Sequence, residues 1–67
     1  MNRLVNYILD SKDNLTLQIK WDKHLGWFIY IMEKGYDMPL ISVADNDKDE
    51  VFRLAYATLK LKLEGHI

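Results

Sequence analysis

The chain has 67 residues and no cysteine, enough for one domain that must hold together without disulfides, a composition that fits a reducing compartment. Nine basic and ten acidic residues leave a formal charge of −1, without the positive excess of a nucleic-acid binder, and no apolar run reaches the ~20 residues of a membrane span. So short a chain buries only about 60% of its unfolded surface, so self-association or docking onto a larger body is the expected supplement.

Residues 1–67 therefore read as a single globular domain, with 49% hydrophobic and 28% charged residues excluding disorder. His24 and His66 are the only soft metal ligands and lie far apart, so no structural zinc and no cofactor is expected. Met1–Asp10 is interrupted by Asn2, Arg3 and Asn6 and does not read as a signal peptide, so a cytoplasmic location is expected.

In that first segment Leu4, Val5, Ile8 and Leu9 fall on one helical stripe, so a short helix is predicted, with a strand over Val5–Leu9 as its rival. Four polar residues, Ser11–Asn14, make a turn. Leu15–Trp21 then alternates, with Leu15, Leu17, Ile19 and Trp21 on the face expected to be buried and Thr16, Gln18 and Lys20 opposite. Asp22–Gly26 closes a hairpin onto a second strand, Trp27–Glu33. Both faces of that strand are apolar: Trp27, Ile29 and Ile31 on one, Phe28, Tyr30 and Met32 on the other. One set covers the core, and the second lies on the open face of the sheet.

A turn at Lys34–Asp37 contains Gly35, which supplies a positive φ where the turn needs one. A third strand is predicted over Met38–Ala44, with Pro39 marking an edge. Asp45–Glu50 holds four acids in six residues. Asp47 and Glu50 have the spacing of a capping box that opens a helix; Val51 to about Leu63 are good helix formers, and Gly65 stands where the helix would end. Its apolar residues, from Leu61 and Leu54 round to Leu63 and Tyr56, sweep roughly 220° of the wheel, more than one sheet needs. The first helix, a second copy or a partner must cover the surplus. The expected fold is α+β in the order α-β-β-β-α: a three-stranded antiparallel meander with the helices packed on one face.

Candidate chemistry is sparse. Ser11 and Ser42 have no histidine at a spacing that predicts contact, and Asp22-x-His24 lies in a hairpin turn, so the chain reads as no enzyme. A pocket of ~300 Å³ or more is also hard to fit into so small a domain. Asp45-x-Asp47-x-Asp49 imitates the start of an EF-hand loop, but Glu50 stands where the loop needs glycine and Tyr56 where it needs a bidentate glutamate. No metal site is expected.

Three surfaces remain. The acids Asp45, Asp47, Asp49 and Glu50 form a negative patch able to enter a basic groove of a nucleic-acid-binding protein, besides capping the helix. Phe28, Tyr30 and Met32, or the helix arc with Leu54, Tyr56 and Leu61, form apolar docking surfaces that suit a protein partner or a homodimer. Finally, Phe28 and Tyr30 with Lys20 and Lys34 suggest a stacking platform for nucleic acid. The element order is also similar to that of double-stranded-RNA-binding domains. Those carry Lys-Lys-x-x-Lys at the start of the last helix; here Asp47-Lys48-Asp49-Glu50 would repel phosphates.

The layout of Asn2–Asp10, Leu15–Lys20, Phe28–Glu33 and Asp45–Glu50 resembles that of small phage-encoded anti-CRISPR proteins that occupy the DNA-binding cleft of a CRISPR effector nuclease. The resemblance implies a phage-encoded inhibitor in which Asp45, Asp47, Asp49 and Glu50 stand in for phosphates. Those proteins are strongly acidic, whereas this chain is nearly neutral, which confines any such mimicry to the acidic turn. A second expectation is a nucleic-acid-binding module. A third is a homodimeric regulator like the antitoxin halves of toxin–antitoxin pairs.

Overall fold

The computed structural model describes residues 2–11 and 14–65, in the order α1 (Arg3–Asp10), β1 (Leu15–Asp22), β2 (Gly26–Glu33), β3 (Ile41–Asp45) and α2 (Lys48–Glu64). The α+β class and the α-β-β-β-α order are as the sequence predicts.

The first segment is a helix and not a strand. The Asn2 side-chain oxygen accepts from the backbone N–H of Leu4 (2.7 Å) and Val5 (3.3 Å), satisfying donors that a helix start leaves open. Asn2 carried that signal in the sequence. At the other end the Ser11 N–H donates to the Ile8 carbonyl.

The strands form one antiparallel sheet in the order β1-β2-β3. Leu17 faces Ile31, Ile19 faces Ile29 and Trp21 faces Trp27; across the other ladder Ile31 faces Ile41 and Ile29 faces Val43. Ile29 and Ile31 are fully buried, so the odd-numbered face of β2 is the core face and Phe28, Tyr30 and Met32 lie on the open one. The core adds Leu4 from α1, Ile41 from β3, and Val51, Ala55 and Leu59 from α2, so both helices pack on the same side. Val51, Ala55 and Leu59 are spaced i, i+4, i+8, one stripe of the helix.

Two expectations need correction. The third strand begins at Ile41 and not at Met38. Pro39 has no N–H to give a ladder, and just before the strand the Leu40 N–H donates to the Ile31 carbonyl of β2 (2.7 Å). The last helix begins at Lys48, directly after Asp47, the cap that the sequence offers. Most consequential, Ile19 and Trp21 are not buried: Ile19 is 44% and Trp21 60% exposed. The last helix packs on β3, β2 and α1, and neither helix covers the far half of β1.

The β1–β2 hairpin turns on Lys23–Leu25, with the Asp22 carboxylate accepting from the backbone N–H of His24 (2.8 Å) and Leu25 (3.0 Å). That carboxylate binds its own turn and does not orient the His24 imidazole through these bonds. Gly26 closes the turn at φ +90°, and a Cβ there would stand 2.8 Å from the Asn46 Oδ1 and 2.9 Å from the Asp45 carbonyl oxygen. Gly35 has φ +92° with no atom within 4 Å of the same added Cβ. The pair separates two costs. Gly35→Ala should lose only the ~1–2 kcal/mol of a left-handed alanine. Gly26→Ala should lose clearly more, because backbone must also move; urea unfolding of both variants reads the difference. By the same measurement Leu59→Ala should cost about 2–5 kcal/mol, with exposed Ser42→Ala within about 0.5 kcal/mol of wild type.

Candidate interaction surface

The open face of the sheet is built by parity. Phe28, Tyr30 and Met32 of β2 stand in a row, flanked by Lys20, Gln18 and Thr16 of β1, and Ala44 and Ser42 of β3 lie beside Phe28 and Tyr30. The Phe28 and Tyr30 rings are stacked, with planes 5° apart and centroids at 6.3 Å. The Lys20 ammonium, diagonal to Tyr30 across the ladder, sits 5.5 Å from the centre of its ring. All three large side chains are half-buried by one another and their neighbours, and no helix covers them. The result is a narrow apolar ridge with one cation beside it.

The acidic turn begins where that ridge ends. Ala44 lies opposite Phe28 and Asp45 opposite Trp27, so the chain leaves the sheet next to Phe28. Within the turn much of the carboxylate capacity is used by the backbone. An Asp45 oxygen accepts from the Asp47 N–H and an Asp47 oxygen from the Asp49 N–H, each at 2.9 Å. The capping box is only half present: Asp47 caps, but Glu50 pairs with the Arg53 guanidinium on the outer side of α2 and does not reach back. Glu50 therefore presents a neutralised pair, while Asp45, Asp47 and Asp49 set the sign of the corner. Among the described residues no group of three or more His, Asp or Glu side chains converges on a point that could hold a metal ion.

Tyr56 is separate from both. It lies in the α1–α2 seam, edge-on to Tyr7 at 5.6 Å and 87°, with the Lys60 ammonium 5.9 Å from its ring centre. The Tyr7 hydroxyl donates to a Glu64 carboxylate oxygen (3.1 Å) in the same seam. The first helix thus covers part of the wide apolar arc of α2, and Leu61, 60% exposed, marks the part left open.

Two features escaped the sequence reading. Trp21 and Trp27 pair on the helix side of the sheet, centroids 6.4 Å apart, beside exposed Ile19. Their alternation looked like core because coverage by a helix is a tertiary property. The second is an open depression of about 370 Å³ at the opposite end from the acidic turn, lined by Tyr36, Met38, Pro39 and Leu40 and flanked by Glu33, Asp37 and Lys62. Its lining contains no serine, cysteine or histidine.

No helix among the described residues is long and apolar enough to cross a membrane. No protein-family model, curated protein or solved structure matches this chain.

Asp47 gives a clean test of how the turn is held. Asp47→Ala should cost about 0.5–2 kcal/mol in urea unfolding, and Asp47→Asn, which keeps the accepting oxygen, should retain most of that stability.

Proposed function

We propose that this chain is a small non-enzymatic interaction protein that modulates or inhibits a larger, basic protein, with a CRISPR effector or another nucleic-acid-binding protein as the partner class. The observation that carries the reading is the uncovered Phe28–Tyr30 stack on the open face of the sheet, which ends beside the Asp45–Asp49 corner. An apolar ridge with a negative corner suits a surface that is apolar at its centre and cationic at its rim. Aromatic side chains so placed supply large contact area at low entropic cost.

A second reading rests on Lys20. An ammonium beside stacked rings is also how single-stranded nucleic acid is held, with bases on the rings and phosphate on the cation. The near-neutral charge and the negative corner favour the protein partner.

Affinity capture with quantitative mass spectrometry separates these readings. Phe28→Ala/Tyr30→Ala should lose the partner by tenfold or more while circular dichroism stays unchanged, and Asp45→Asn/Asp47→Asn/Asp49→Asn should weaken capture and flatten its salt dependence. Equal capture by wild type and the ring-deleted variant would remove the ridge from the interface. Binding of a generic oligonucleotide that falls steeply with salt would instead establish the nucleic-acid reading.

A further inference from the structure

The free edge of β1 is long, unbroken and self-complementary. The Lys34 N–H donates to the Asn14 carbonyl at 3.0 Å, extending the β1–β2 register by one pair. In an antiparallel ladder, bonded positions alternate, so Thr16, Gln18, Lys20 and Asp22 exchange bonds with β2. The N–H and C=O groups of Leu15, Leu17, Ile19 and Trp21 therefore point outward, along eight residues that contain no proline, glycine or positive φ before the turn. Natural edges are usually blunted by such breaks or by an inward charge. The β3 edge conforms, being five residues long and preceded by Pro39. The β1 edge has no such break and no inward charge, its one mid-strand charge, Lys20, lying on the open face, and its core-side residues Ile19 and Trp21 are the exposed ones.

We propose that β1 pairs antiparallel with β1 of a second copy about a two-fold axis through Gln18, making one continuous six-stranded sheet. Several observations select a copy of this chain as the occupant. Outward groups sit only on odd positions, so the partner strand must also offer odd positions, and β1 itself does so in full overlap. In that register Leu15 faces Trp21 of the second copy and Leu17 faces Ile19 of the second copy. The uncovered half of each strand thus lies against the half-buried end of the other, so the exposed Ile19 and Trp21 side chains pack beside Leu17 and Leu15 of the second copy on the helix side. Parallel pairing about an axis along the strand would turn one sheet over and set Trp21 among polar residues. Lys20 falls opposite Thr16 of the second copy, so no like charges meet, and a net charge of −1 per chain offers little repulsion. The open face with Phe28 and Tyr30 is left free in duplicate, so the pairing adds to the proposed docking role without depending on it.

Sedimentation and hydrogen exchange test this directly. At tens to hundreds of micromolar the full chain should sediment at twice its 8.0 kDa mass. The amides of Leu15, Leu17, Ile19 and Trp21 should be protected at high concentration and lose tenfold or more of that protection on dilution, while those of Thr16, Gln18 and Lys20 stay protected. Ile19→Lys, on a side chain already 44% exposed, should give a folded monomer. Ile19→Pro, which removes an outward donor and no β1–β2 bond, should do the same. A monomer at all concentrations, open-ended oligomers, or a dimer whose four odd amides exchange freely would each overturn the proposal. The ring-deleted variant Phe28→Ala/Tyr30→Ala should still dimerise, which keeps failure of this pairing distinct from failure of the docking role.

Discussion

A helix with side chains is about 10 Å wide and strands lie about 4.8 Å apart, so one helix covers roughly two strands. This sheet has three, and its one long helix lies over β2 and β3. Nearly every other feature follows from that mismatch. The eight-residue α1 fills in beside α2 through the Tyr7–Tyr56 contact and sends Leu4 into the core, yet it is too short to shelter the whole of β1. The apolar stripe of β1 is consequently buried at one end and wet at the other. The far face of the sheet has no layer at all.

A domain so constructed has little interior, seven buried hydrophobic side chains among the described residues, and much apolar area at its margins. The two aromatic groupings have different characters. The Phe28–Tyr30 stack is ordered by strand spacing and sits on a regular surface with a cation beside it. The Trp21–Trp27 pair sits beside an unpaired backbone edge, where main-chain hydrogen bonds and side-chain burial act together. The first suits recognition of a different molecule, whereas the second suits repetition of the same one.

Much of the architecture was legible because local rules and tertiary placement agree. Strict alternation over Leu15–Trp21 and the Asp22–Gly26 punctuation define the hairpin, and Asp47 with Gly65 bounds α2. Where tertiary coverage decides, the residues alone were insufficient. Ile29 and Ile19 face each other across the ladder, yet the first is fully buried and the second 44% exposed, since only the first lies beneath α2. Glu50 had the spacing to complete a capping box and found a stronger partner in Arg53. Of the residues proposed for docking, Phe28, Tyr30 and Met32 do share a face that ends at Asp45, whereas Tyr56 belongs to the helix seam. Parity along a strand is visible in sequence; which helix flank meets which neighbour is not.

The close approach of Gly26 to Asn46 and the Asp45 carbonyl joins the tip of the first hairpin to the acidic turn. These two loops form one packed unit at that glycine. Extra residues in either loop would prise the unit apart. The loop at Tyr36–Leu40, where Tyr36 and Met38 project into solvent, is the place where the scaffold can take a graft, a label or a tether and keep both aromatic groupings intact.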